Sequence, residues 1–197
     1  SLLLTFKINI GDVRARKHAL VKVTLCRVAL KVFFNKVFEI EELLKKDLKE
    51  SYIPCQTVNV ISNGIQKTER QTIIPSLMFF RSTEQYANEL QTALRGRVMV
   101  YTYFDENKKR QPAAISDHEM NMFILVTSAG DKGLEFFADD CPEYQVGERV
   151  RVIDGLFKGA EGYIKRIKHN RRLTVSLKGV CMVATSFIPP CCLKKIE

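Results

Sequence analysis

Hydrophobic and polar positions follow two rhythms along this chain, and the change between them falls near residue 144. From Arg27, the run Val28-Ala29-Leu30-Lys31-Val32-Phe33-Phe34 is short, apolar and rich in strand-favouring residues, and it reads as a buried strand. Asn35 is a candidate cap. Beyond it Val37, Ile40, Leu44 and Leu48 recur at three- and four-residue steps, while Glu39, Glu41, Glu42, Lys45, Lys46 and Lys49 take the other faces, which predicts an amphipathic helix. Tyr52-Ile53-Pro54 returns to extended structure. Residues 58–61 run into Ser62-Asn63-Gly64, whose Asn-Gly pair favours a tight hairpin turn, with a return strand over residues 66–74. Pro75 interrupts pairing, so residues 76–81 are expected as a separate strand, followed by a helix over residues 84–94. Residues 97–104 read as another strand and residues 105–110 as a polar loop. Ser116-Asp117-His118-Glu119 has the S-x-x-E spacing in which Ser and Glu reciprocally satisfy free amides at a helix start, with Met120, Phe123, Ile124 and Thr127 on the inner face.

These elements describe an α+β layer, with helices against a mostly antiparallel sheet. Ala129-Gly130-Asp131-Lys132-Gly133 and the acidic stretch to Glu143 read as a linker, stiffened by Pro142. After Tyr144 only short strands are predicted, over residues 149–153, 162–167, 173–177 and 180–185. Asp154-Gly155, Lys158-Gly159, His169-Asn170 and Lys178-Gly179 mark the corners, and that spacing suggests a small closed or partly closed β-barrel. The expected division is therefore residues 1–25 as an extension without an assigned role, 26–128 as the α+β domain, 129–143 as the linker and 144–197 as the barrel.

Charge sharpens this division. Of a formal net charge of +9, residues 1–143 contribute 20 basic and 18 acidic side chains, whereas residues 144–197 contribute 11 basic and 4 acidic. A compact basic block is an electrostatic footprint for a polyanion, and Arg149, Arg151, Lys165, Arg166, Lys168, Arg171 and Arg172 are the candidates for RNA or DNA contact. The opening run of residues 1–6 is far short of a membrane span and lacks the basic lead-in of a secretory signal, so a cytoplasmic protein without a membrane partner is expected. The six cysteines include no C-x-x-C pair, and His18, His118 and His169 lie far from them, so buried reduced thiols are expected and no metal site or cofactor. Cys191-Cys192 is a vicinal pair without a flanking basic or helical context. With His118 in a capping box, His169 in a turn and no nucleophile–base constellation, the composition speaks against an enzyme.

Residues 147–164 read GERVRVIDGLFKGAEGYI. Val150 and Val152 alternate with Arg149 and Arg151 as inward and outward positions of a strand. Gly155 and Gly159 permit positive φ in the following loop, and Gly162 permits close approach of two strands. The glycines are not followed by Gly-Lys-Ser/Thr and open a strand, which excludes a phosphate-binding P-loop. The stretch resembles a KOW motif, with Phe157 at the loop tip. Behind the α+β unit it makes residues 27–197 resemble the NusG family of transcription elongation factors. Residues 28–34 resemble the first strand of the family's N-terminal (NGN) domain, Tyr52-Ile53-Pro54 its next strand, residues 73–80 its central strand and residues 112–117 the entry to its last helix. Cys26-Arg27 stands where the family often has Trp, and Pro75-Ser76-Leu77 where it often has Pro-Gly-Tyr, so the chain looks closer to specialised, operon-specific UpxY-type antiterminators of capsular polysaccharide loci.

The resemblance implies an SH3-like KOW barrel behind an NGN domain, and a factor that binds the clamp helices of the largest RNA polymerase subunit and makes or breaks no bond. By matching strands it implies that Phe33, Phe34, Ile74, Pro75, Leu77 and Phe79 form the polymerase-binding surface, about half of them core because a strand alternates faces. It places a gate-contacting loop at residues 82–88. It also implies that Phe157, with Gly155, Gly159 and Gly162 shaping its loop, meets a ribosomal protein or the termination factor Rho. The alternative is a ribosome- or RNA-associated module that does not bind polymerase.

Overall fold

The computed structural model describes residues 25–45, 50–62, 64–104, 107–113, 115–138 and 147–197. Residues 1–24, 46–49, Asn63, 105–106, Ala114 and 139–146, about some of which expectations are stated above, lie outside them. The order of elements is β1 (Cys26–Val32), α1 (Val37–Leu44), β2 (Ser51–Tyr52), β3 (Cys55–Ser62), β4 (Ile65–Thr72), β5 (Leu77–Ser82), α2 (Glu84–Ala93), β6 (Val98–Val100), β7 (Thr102–Phe104), β8 (Arg110–Pro112) and α3 (Asp117–Ser128). Then come β9 (Glu135–Ala138), β10 (Glu148–Val152), β11 (Glu161–Ile167), β12 (Asn170–Leu177), β13 (Cys181–Phe187) and β14 (Leu193–Lys195).

The first half is built on a four-stranded antiparallel sheet in the order β2-β5-β1-β6. Strand periodicity sorts its side chains. Val28, Leu30 and Val32 of β1, with Met78 and Phe80 of β5, pack against Val37, Ile40 and Leu44 of α1 and Ala87 and Leu90 of α2. Ala29, Leu77 and Phe79 face the opposite way, onto Met120, Phe123 and Val126 of α3. Ser116 and Glu119 form the predicted capping box at the start of α3, and Thr83 caps α2 through the Tyr86 amide. β3 and β4 pair only with each other, in register from Cys55↔Thr72 to Ser62↔Ile65, and the expected turn residue Asn63 lies outside the described residues. The strand expected over residues 97–104 is divided: β6 joins the main sheet, whereas β7 pairs with β8 in a separate hairpin.

The second half is a six-stranded antiparallel sheet in the order β14-β10-β11-β12-β13-β9. Its interior holds Val150, Val152, Ile164, Leu173, Val175, Leu177, Val183 and Ile188. The stretch read as a linker contributes β9, because Glu135 to Ala138 pair with Ala184 to Cys181 of β13. Phe136 and Phe137 gave that segment a strand pattern that its acidic and glycine neighbours obscured. The β11–β12 turn is Lys168-His169, both at positive φ (49° and 67°) between Ile167 and Asn170, one residue earlier than expected.

One continuous core joins the two halves through α3. Its Met120, Phe123 and Val126 are fully buried toward the sheet. Toward the six-stranded sheet, a Cβ on Gly159 would lie 3.8 Å from Leu125 Cδ1, and the Glu161 amide donates to Met122 Sδ at 3.2 Å. With Met120, Phe123 and Val126 on one side and Met122 and Leu125 on another, α3 presents apolar residues to both layers and keeps Asp117, Asn121 and Ser128 exposed. Among the described residues no helix is long and apolar enough to cross a membrane, and no group of three or more metal-ligating side chains converges.

Candidate protein-binding edge

Two sharp turns meet at one end of the β1–β5 ladder. The ladder's last paired residues are Lys31 and Leu77, and the Val32 amide extends it by donating to the Ser76 carbonyl at 2.7 Å. Beyond Val32 the chain does not continue as the predicted strand: Phe33 to Asn35 form a short 3-10 turn. Phe34 sits at φ 61°, ψ 26°, Asn35 at φ 55° and Ser76 at φ 67°, all in the left-handed region that side chains with a Cβ avoid, at a cost of about 1–2 kcal/mol per residue. Phe34 is 79% exposed, Pro75 is exposed, and Phe33 and Ile74 are half-buried. The Phe33 and Phe34 rings lie 6.5 Å apart, and the Lys31 ammonium stands 5.8 Å from the Phe33 ring centre. A bulky apolar side chain held out into water on a strained backbone is a marker of a contact surface.

Of the six polymerase-surface candidates, Phe34 and Pro75 are exposed at the two turns, Phe33 is half-buried beside Phe34, Ile74 is half-buried against the core on the α3 side, and two are buried outright. Leu77 and Phe79 are each only 1% exposed, because their strand positions point under α3, where the Phe79 and Phe123 rings meet edge-on at 5.4 Å. Both belong to the core.

At the barrel, Gly155 (φ 88°) and Gly159 (φ 92°) take the positive φ expected of them, and Gly162 lies against the Thr174 carbonyl and Leu173. Phe157, by contrast, is 4% exposed. Its loop folds back through Lys158 N–H to Gly155 O, Gly159 N–H to Val152 O and Ala160 N–H to Phe157 O, which turns the ring into the core under the six-stranded sheet. Leu156 and Ile153 are the exposed apolar residues of that loop. Cys191 is exposed, with its Sγ 4.0 Å from that of the half-buried Cys192, and Cys26 and Cys55 are half-buried. Of the described cysteines only Cys181 is buried, so the expectation of buried thiols fails for most of them.

The basic candidates do not form a free stripe. Arg151 and Arg149 bind Glu161, with Arg149 also donating to the Glu197 carbonyl. Arg172 and Lys168 bind Glu135 at 2.8 and 2.9 Å, and Arg171 stands 3.7 Å from Glu148. The Lys165 ammonium is buried without a hydrogen-bond partner, and Arg166 is exposed. Glu135 is the carboxylate whose effect sequence reading missed, because it was assigned to a linker rather than to a strand beside Arg172.

A second charge cluster fastens α3 to the sheet. Arg27 binds Glu50 at 2.7 Å and Asp117 at 2.8 Å, and Arg81 approaches the same two carboxylates at 3.7 and 3.5 Å. The Arg27 hydrogen bond and the nearby Arg81 hold Asp117 below the ordinary carboxylate range. The Arg151 hydrogen bond does the same for Glu161, and the Lys168 hydrogen bond for Glu135. Groups with a depressed native pKa stabilise the fold above their unfolded value and lose that contribution as pH falls through the native one. The melting temperature is therefore expected to drop below about pH 4, where unfolded carboxylates titrate. The drop should shrink at high salt and in Asp117→Asn, in thermal unfolding followed across pH at two ionic strengths.

A family model described as "Transcription termination factor nusG" matches residues 28–124. Among solved structures, one described as "Domain interaction in Thermotoga maritima NusG" is similar over 88% of this chain and 98% of that chain, at 15% identity and a TM-score of 0.44. No curated protein matches the chain.

Proposed function

We propose, for a chain whose residues 28–124 match the NusG family model, that it is a transcription elongation factor of the operon-specific, antiterminating kind. It binds the clamp helices of RNA polymerase through the edge formed by Phe33, Phe34, Ile74 and Pro75. The observation that carries this reading is Phe34, which is 79% exposed on a strained turn next to exposed Pro75. An apolar knob of this kind loses water when it enters a complementary cleft, and buried aromatic anchors dominate interface energies. The function is binding: the protein adds a contact to the polymerase and contributes no catalytic group. Residues 26–128 make up the NGN domain, and the KOW barrel of residues 144–197 gains a sixth strand from residues 135–138. The barrel presents Leu156 and Ile153 to a second protein partner.

The test is co-migration of the full chain with bacterial core RNA polymerase on a nucleic-acid scaffold. The intact chain is needed because separating the halves cuts the core around α3. Phe34→Ala is expected to weaken binding by roughly tenfold or more while leaving the melting temperature unchanged, since the ring buries almost nothing in the free protein. Unaltered binding by Phe34→Ala refutes this edge as the contact. Retention only through RNA, without polymerase, favours the ribosome- or RNA-associated alternative.

A further inference from the structure

We infer that Asn35 and Ser76 are positioning residues: together they form a side-chain clip that locks two left-handed turns against each other and holds Phe34 in its outward pose. The inference rests on the binding role proposed above for Phe34. Six non-glycine residues have positive φ among the described residues, and three of them, Phe34, Asn35 and Ser76, belong to this one assembly. The Ser76 hydroxyl donates to Asn35 Oδ1 at 3.1 Å across 41 residues of sequence. Backbone bonds fix both flanks, from Val32 N–H to the Ser76 carbonyl and from Phe33 N–H to the Arg97 carbonyl.

Backbone shape alone does not account for Ser76. Glycine adopts a φ of 67° without strain and serine does not, so serine carries a conformational cost that its hydroxyl has to offset. The only side-chain hydrogen bond the structure gives that hydroxyl is to Asn35. Asparagine tolerates the left-handed region better than other residues with a Cβ, so Asn35 combines an accessible backbone with an acceptor at the right height. Phe34 has neither advantage. Its ring lies mostly in water and does not hold its own backbone at φ 61°, so its neighbours impose that conformation. Released from the clip, Phe34 and Asn35 relax toward negative φ and the ring leaves its outward pose. The polymerase then meets a presented Phe34 for only part of the time, which weakens binding by that fraction.

The chain contains no tryptophan, so Phe34→Trp installs a single indole reporter at the site. In that background Ser76→Gly and Asn35→Gly are each expected to lower the fluorescence anisotropy, the pair together no further than either alone, and Asn35→Asp to preserve it, since a carboxylate also accepts the serine hydroxyl. Ser76→Gly is expected to keep or raise the melting temperature, because φ strain is relieved. With Phe34 intact it should weaken polymerase binding by about threefold to tenfold. Unchanged anisotropy in both single glycine variants, or additive losses in the double variant, overturns the clip. Lowered anisotropy together with polymerase binding that even Phe34→Ala leaves intact supports the clip and refutes the binding role assigned to this edge.

Discussion

Phe123→Ala is expected to lower the free energy of unfolding by about 3–5 kcal/mol and to loosen both halves of the molecule together. Phe123 is fully buried and meets Phe79 edge-on, and its helix carries the core from the sheet into the barrel. The cavity would open at the centre of α3, flanked along that helix by Met120 and Val126, which are equally buried. The nearest relief is a shift of α3 toward the sheet, which draws Met122 and Leu125 away from Glu161 and Gly159. Chemical denaturation followed by circular dichroism measures the loss. Hydrogen exchange should show faster opening in β11 and β12 as well as in β1 and β5. A loss below about 1 kcal/mol would mean that the site collapses without strain.

That coupling was only half legible in the sequence. The capping box at Ser116 and Glu119, the buried strand after Arg27 and the pairing of residues 58–61 with the return strand all follow from local rules, and the structure contains them. Met120, Phe123 and Thr127 of the expected inner face are buried and Ile124 is half-buried, but the run Met122-Phe123-Ile124-Leu125-Val126 holds more apolar residues than one stripe uses. This excess over a single stripe was the available sign of a second layer. The binding edge was legible as a set of residues and not as a geometry. Phe33, Phe34, Leu77 and Phe79 are equally apolar, and only the break in β1 after Val32 turns Phe34 outward while strand register sends Leu77 and Phe79 under α3. The burial of Phe157 and the pairing of Glu135 with Arg172 depend on loop closure and on a strand added from the linker, and neither leaves a periodic signal.

Gly162→Ala is expected to cost about 1–3 kcal/mol by overpacking, and the way that loss appears distinguishes one cooperative unit from two. A Cβ at Gly162 would run into the Thr174 carbonyl, backbone of the neighbouring strand, with Leu173 Cδ1 at 3.2 Å behind it. Backbone in the middle of a ladder yields poorly, so β11 and β12 must separate locally where Tyr163 pairs with Thr174. The glycine lies in the barrel, far along the chain from Phe123. If the shared core around α3 couples the halves, both substitutions shift one common unfolding transition, and calorimetry gives matching calorimetric and van't Hoff enthalpies for each. If the barrel opens on its own, Gly162→Ala produces an early transition confined to β10–β13, while the sheet with α1 and α2 melts at its original temperature. The apolar residues that α3 presents to both layers favour the first outcome, since losing the six-stranded sheet would leave Met122 and Leu125 facing water.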